Sequence, residues 1–262
     1  MPPRIFTSVI QASLPVMGDA KLITITVPEG IAREAKSGHF MSILCREPNT
    51  FDPMIRRPFS VMRANPASSE ISILVRPYGR GSGWLDAQPI GTEIDVLGLL
   101  GNNYAVNSTT TNLLMVAGGV GAAPLVMLAE EAVANGLNVT YLMGAANEDA
   151  LLPSSQLPEA VEYVVATDDG SRGYQGFVTD LVPNYTRWAD QVFSCGPEPM
   201  FRALRSSISP HRIGGKPTIQ VSMERTMACG VGACLGCVVE TKRGMTTSCI
   251  EGPVYDMDIV QW

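Results

Sequence analysis

Leu113-Leu114-Met115-Val116-Ala117-Gly118-Gly119-Val120-Gly121-Ala122-Ala123-Pro124 is the stretch from which the architecture is read. Residues 113–117 are an unbroken apolar run, as expected of a strand covered on both faces; a half-wet antiparallel strand alternates instead. Glycines end the run at once. Residues 124–135 then read as a helix, with Gly136 as its stop. Strand, glycine turn and helix form the opening unit of a parallel sheet. Glycines at such a turn let the backbone reach a pyrophosphate lying on the helix N-terminus. Pro124 stands where the G-x-G-x-x-G pattern has its third glycine, so taken alone the segment is also a plain strand-to-helix turn. Its place in the first βα turn of the sheet favours Gly119 and Gly121 as dinucleotide contacts.

Downstream, residues 139–144, 163–166 and 191–195 repeat the buried-strand pattern, and a helix is expected at 199–206. Alternating strands and helices predict a doubly wound α/β sheet. Upstream the rhythm differs. Ile23, Ile25 and Val27 alternate with Thr24 and Thr26; Ile71, Ile73 and Val75 behave likewise, as do Ile94 and Val96. Period-two alternation broken by Pro and Gly predicts an antiparallel β barrel or sandwich. The polar stretch 102–111 marks the junction. The segment after about Ile219 is Cys- and Gly-rich, with no room for a core of its own, so a metal is expected to organise it. Three domains follow: 1–104, 105–215 and 216–262.

The 262 residues carry a net charge of −6 and a pI near 5.0, with no run of Lys or Arg, which argues against nucleic acid as a partner. The longest uncharged apolar stretch, 113–129, is interrupted by three glycines and Pro124, which argues against a membrane span. Met1-Pro2-Pro3-Arg4 leads into a polar mixture rather than an apolar leader, so a cytoplasmic setting is expected. In a reducing compartment the six cysteines are not expected to form disulfides, and four of them crowd the C-terminal segment.

Those four carry the sharpest motif. Cys229, Cys234 and Cys237 stand in a C-x4-C-x2-C array with Cys249 beyond, the plant-type spacing for a [2Fe–2S] cluster. Gly230, Gly232, Ala233 and Gly236 let backbone N–H groups approach the sulfurs. A structural zinc site is the other reading, although such sites more often pair two short knuckles. Cys195-Gly196-Pro197 ends the fourth buried strand, at the edge where open α/β sheets bind ligands. Its thiol either touches a cofactor ring or is a small buried hydrophobe. Arg57-Pro58-Phe59-Ser60 offers a bidentate cation, a flat ring and an adjustable hydroxyl; Gly79-Arg80-Gly81-Ser82 offers backbone N–H groups. Each is also ordinary loop chemistry. Asp168-Asp169-Gly170-Ser171 is a turn that could contact a ribose or a nicotinamide. The two histidines, His39 and His211, match no ligand pattern. Ala145-Ala146-Asn147-Glu148-Asp149 supplies carboxylates and no cation after the second buried strand, which favours NAD over NADP, although Arg172 is not far along the chain.

These motifs, in this order, resemble the ferredoxin–NADP reductase superfamily, and within it the electron-transfer subunits of NAD-dependent (class 1B) dihydroorotate dehydrogenases. The resemblance spans essentially the whole chain, including Glu251-Gly252-Pro253-Val254. Gly98-Leu99-Leu100-Gly101 departs from it, because relatives usually carry Pro between the outer glycines. The resemblance implies FAD, NAD and [2Fe–2S] as cofactors. It implies that Arg57 binds the FAD pyrophosphate, that Pro58 and Phe59 line the isoalloxazine and that Ser60 sits near its N5. Leu74, Val75 and Arg76 would pass along the flavin, and Gly81 and Ser82 would close on its phosphate. Gly119, Gly121, Asp169 and Gly196 would bind NAD, with Cys195 as a catalytic thiol. Cys229, Cys234, Cys237 and Cys249 would hold the cluster. It further implies an FMN-containing catalytic partner, a heterotetramer of two copies of each chain and a role in pyrimidine biosynthesis. Flavin and iron–sulfur subunits of ferredoxin–NADP oxidoreductase or sulfhydrogenase complexes share the same motifs.

Overall fold

The computed structural model describes residues 3–208 and 217–262; the expected boundary at 215/216 and His211 lie outside the described residues. Six antiparallel strands close into a barrel: β1 (Arg4–Met17), β2 (Ala20–Thr26), β3 (Phe40–Ile43), β4 (Arg57–Asn65), β5 (Glu70–Val75) and β6 (Glu93–Leu100), in the order β1-β2-β5-β4-β3-β6. Ile23 pairs with Ile73 and Ile25 with Ile71, so the alternating isoleucines of two strands meet on one face. They fill the barrel interior with Ile10, Met41 and Val96, all fully buried. Two short helices, α1 (Ile31–Glu34) and α2 (Arg80–Asp86), accompany the barrel.

The second body is a sheet built from β7 (Asn112–Gly118), β8 (Asn138–Ala145), β9 (Glu162–Thr167), β10 (Tyr174–Gln175), β11 (Gln191–Cys195), β12 (Thr218–Ser222) and β15 (Val254–Asp256). Its order is β10-β9-β8-β7-β11-β12-β15; only β12–β15 pairs antiparallel. Helices α3 (Ala123–Ala134) and α4 (Glu198–Ser207) follow β7 and β11. Strand order reverses between β7 and β11, the point at which open α/β sheets form their ligand crevice.

The C-terminal segment is less independent than its composition suggests. β12 and β15 extend the parallel sheet, and Val221, Tyr255, Met257 and Val260 share a core with Phe201 and Leu204 of α4. The cysteine loop and the hairpin of β13 (Val238–Thr241) and β14 (Gly244–Thr247) stand outside that sheet. A segment too short to enclose a core has borrowed its neighbour's.

The barrel and the sheet share a continuous core. Met17, Ala20, Met62 and Leu74 of the barrel side pack into the cluster formed by α3, β7 and β8. Arg63 of β4 donates to Glu130 Oε1 at 2.6 Å and to Gln156 Oε1 at 2.8 Å. Asn102, just past β6, fastens the third body: its Nδ2 donates to the carbonyls of Glu251 and Val254, both at 2.8 Å, and its Oδ1 accepts Val254 N–H at 2.9 Å. Among the described residues no helix is long and apolar enough to cross a membrane.

Candidate functional site

The four cysteines stand as two pairs. Cys229 hydrogen-bonds Cys234 on the outer side of the loop, while Cys237 and Cys249, almost fully buried, interact on the inner side. Gly230 and Gly232 hold φ of 73° and 75°, conformations open to glycine at little cost. That curl aims amides at sulfur: Val231 N–H donates to Cys229 Sγ (3.4 Å), Gly232 N–H to Cys249 Sγ (3.2 Å) and Gly236 N–H to Cys234 Sγ (3.4 Å). Burial raises the Cys229 pKa, but the N–H groups of Val231 and Cys234 and the Cys234 thiol outweigh it and bring it down to about 7. Cys249 goes the other way, pushed up to about 11 by burial and then by a hydrogen bond with the Cys237 thiol. Such inner thiols ionise when a metal binds. Among the described residues no three His, Cys, Asp or Glu side chains gather at one point. Two pairs of thiols with amide donors fit a two-iron centre that takes four thiolates in all.

The inner pair abuts the barrel. Cys237 and Cys249 share a small apolar cluster with Phe40, Leu97, Leu100 and Met227. A Cβ on Gly230 would lie 3.0 Å from Leu100 Cδ1. Phe40 pairs across β3–β4 with Ser60 and across β3–β6 with Leu100. One strand therefore separates the Arg57–Ser60 motif from the buried cysteines. No sequence signal couples Phe40 to cysteines some two hundred positions away; only the barrel register does.

Two barrel motifs meet. A Cβ on Gly81 would come within 2.9 Å of Arg57 Cγ and 3.0 Å of its Nε, so the glycine leaves room for that side chain. Arg57 Nη1 donates to the Ile55 carbonyl at 2.7 Å, and Pro58, Phe59 and Ser60 are half-buried along β4. A partly exposed guanidinium beside Gly81, which lies in the first turn of α2 and not in the free loop expected, fits an anionic group such as a dinucleotide pyrophosphate. Ser82 Oγ is engaged locally, accepting the N–H of Tyr78 and of Gly79, both at 3.0 Å. Leu74 and Val75 are buried, the first in the core shared with the sheet and the second in the barrel. Only their backbone is left for a ligand. Arg76 is exposed and pairs with Asp19 at 2.8 Å.

Two sheet motifs meet as well. A Cβ on Gly121 would lie 2.4 Å from the Cys195 carbonyl oxygen and 2.8 Å from Gly196 N, so the glycine turn packs backbone to backbone on the end of β11. Gly119 has φ +54° and open space around it. Burial, and then the Glu224 carboxylate, push the Cys195 thiol up to about 12, so it is a neutral S–H and not a thiolate nucleophile. Asp169 is exposed, and hydrogen bonds from Ser171 hold its carboxyl below the usual range. Gly196 faces Met200, whose Cε would lie 2.5 Å from an added Cβ.

Comparison with known proteins bears on the same segments. Residues 224–261 match the iron-sulfur cluster binding domain of dihydroorotate dehydrogenase B, and residues 115–206 match the oxidoreductase NAD-binding domain. The chain is 32% identical to the dihydroorotate dehydrogenase B (NAD(+)) electron transfer subunit of Desulforamulus reducens, over 99% of both chains. It is 35% identical to the corresponding subunit of Bacillus velezensis, over 79% of this chain and 81% of that one. Among solved structures, that of an NADH-dependent reduced ferredoxin-NADP oxidoreductase superposes with a TM-score of 0.85 at 27% identity, covering 97% of this chain and 90% of that one. The ferredoxin reductase of carbazole 1,9a-dioxygenase, at 19% identity and a TM-score of 0.69 over 82% of this chain and 68% of that one, shares the fold. At 32% identity over 99% of both chains, and with a matching cluster-binding segment, the chain belongs to the family of dihydroorotate dehydrogenase B electron transfer subunits.

Proposed function

We propose that this chain conducts electrons between NAD and the FMN of a dihydroorotate-oxidising catalytic subunit, in the order NAD, FAD, [2Fe–2S], and so serves pyrimidine formation in the cytoplasm. The observation that carries the reading is the junction at Phe40: it lies between Ser60 of the flavin motif and Leu100, in one apolar cluster with Cys237 and Cys249. Bound flavin supplies the exchange between a hydride, carried as an electron pair, and the single electrons that an iron–sulfur centre accepts.

The protein's own groups divide the remaining work. Residues 1–104 hold the flavin, with Arg57 on its phosphates, Phe59 and Ser60 at its ring and the turn at Gly81 and Ser82 closing over it. Residues 105–215 hold NAD, with Gly119 and Gly121 against the pyrophosphate and Asp169 toward the ribose. Cys195 and Gly196 bring a neutral thiol and a bare backbone to the nicotinamide side. Residues 216–262 hold the cluster. Its inner thiols face the barrel, and Cys234 is exposed. Exposed apolar residues Val231, Leu235 and Ile250 flank it, and they suit a partner surface. The assembly we propose has two copies of each chain.

The test uses purified chain loaded with FAD and cluster. It should oxidise NADH with ferricyanide as acceptor and show no dihydroorotate oxidation until the FMN-bearing subunit is added. NAD-linked dihydroorotate turnover by this chain alone would defeat the proposal. The 27% identity to the ferredoxin-NADP oxidoreductase structure favours a second reading, in which the partner-loaded complex reduces only ferredoxin. The same assay decides between them.

A further inference from the structure

Sheet order places the adenosine end of a dinucleotide. Its pyrophosphate belongs at the glycine turn after β7, and its adenosine half runs outward over β8, away from the crevice between β7 and β11. At that end of β8 the structure gathers two opposite charges. Glu148 follows β8, and its backbone N–H donates to Ser171 Oγ at 2.8 Å. The turn after β9 is tied to the end of β8 by Asp168 N–H and Asp169 N–H, which donate to the carbonyls of Ala145 (3.1 Å) and Ala146 (3.3 Å). Arg172 is anchored on the fully buried Thr167: its N–H donates to Thr167 Oγ1 at 3.1 Å, and its carbonyl accepts from the same hydroxyl at 2.9 Å. Its guanidinium then lies 3.4 Å from Glu148 Oε1, both side chains about half exposed.

A 2′-phosphate is received at this place by an arginine, and a 2′-hydroxyl by an acid. This chain holds both. We infer that Glu148 sets the preference for NAD over its 2′-phosphorylated form by pairing with Arg172, and that Arg172 is the cation of a latent 2′-phosphate site. The inference rests on the reading of residues 105–215 as a nicotinamide-dinucleotide site. Glu148 acts twice. Its Oε1 sits 3.4 Å from the Nη1 that a phosphate would engage, and it places a negative charge beside the incoming phosphate. Ser171 Oγ, by accepting the Glu148 N–H, keeps the two loops side by side and so brings the two side chains within reach of each other.

The test measures binding of adenosine 2′,5′-bisphosphate and of ADP by calorimetry, with NADH and NADPH oxidation by ferricyanide as a second readout. Glu148→Gln should bind the 2′,5′-bisphosphate about tenfold tighter than the parent chain, with a gain that shrinks as salt rises. Its NADH-over-NADPH preference should fall by a similar factor. Adding Arg172→Gln should abolish the gain. Both positions are exposed, and melting curves confirm that each variant is folded. An unchanged affinity in Glu148→Gln, or a gain that survives Arg172→Gln, would overturn the inference while leaving the NAD reading intact. Failure of the parent chain to take ADP or NADH at all would bring down the NAD reading and the inference together.

Discussion

Gly121→Ala probes the contact on which the nucleotide site depends. The new Cβ would lie 2.4 Å from the Cys195 oxygen, 2.6 Å from its carbonyl carbon and 2.8 Å from Gly196 N, whereas ordinary contact begins at 3.4 Å. All three atoms are backbone, so no side chain can rotate away. The turn after β7 and the end of β11 must separate by about 1 Å, against a ladder in which Ala117 pairs with Cys195. Overpacking of this kind costs about 1–3 kcal/mol, which lowers Tm by about 2–4 °C per kcal/mol in a chain of this size. Function should suffer more. The displaced segments are those expected to cradle the pyrophosphate and the nicotinamide, and a misplacement of about 1 Å costs on the order of a hundredfold in rate. The assay is NADH oxidation by ferricyanide, with kcat/KM compared alongside a melting curve. Gly136→Ala is the control: its φ is +74° with no atom within 4 Å, at the end of α3 and at the opposite end of the sheet from Cys195. It should lose about 1–2 kcal/mol of stability with kcat/KM unaltered. A folded Gly121→Ala variant whose kcat/KM stays within about twofold of the parent would refute the argument.

Cys234→Ser should lose the visible iron–sulfur absorption and retain FAD, because its thiol is exposed and the barrel does not depend on it; unchanged iron and sulfide content would reject the ligand assignment. Arg57→Ala should weaken FAD binding roughly tenfold to a hundredfold, the range for a charged hydrogen bond, read as flavin retained through gel filtration; full retention would contradict it. His39 is held neutral, its pKa lowered to about 4 by burial first and by Lys36 second, with Nδ1 accepting Lys36 N–H at 3.1 Å. The unfolded chain takes up that proton near pH 6.5 and the folded chain only near 4, so stability present at neutral pH is lost as pH falls through this window. Denaturant unfolding of His39→Gln should show a shallower decline over the same interval, and parallel declines would exclude His39 as the cause.

Much was legible along the chain because it is decided by near neighbours. The interior strands β7, β8 and β11 are largely apolar and buried, and observed bounds such as Asn138–Ala145 and Gln191–Cys195 lie within a residue or so of the expected ones. The isoleucine alternation of β2 and β5 follows from having one wet face, and the C-x4-C-x2-C spacing from one loop wrapping a cluster. β1 was not legible: Arg4–Met17 bends through two register shifts, which blur its alternation. β3 has all four residues buried and so shows no period. The membership of β12 and β15 in the parallel sheet was hidden by their cysteine-rich surroundings, because an edge strand is recruited by the sheet it joins and not by its own composition. The site divides in the same way. Sequence alone named the glycine turns, Arg57 and the four thiols. Only tertiary packing set Gly81 against Arg57, Gly121 against Cys195, Phe40 between Ser60 and the buried cysteines, and Arg172 beside Glu148. Spacing fixes what one turn of chain can reach, whereas contacts between distant segments depend on strand order and register, which a shared core selects over the whole molecule at once.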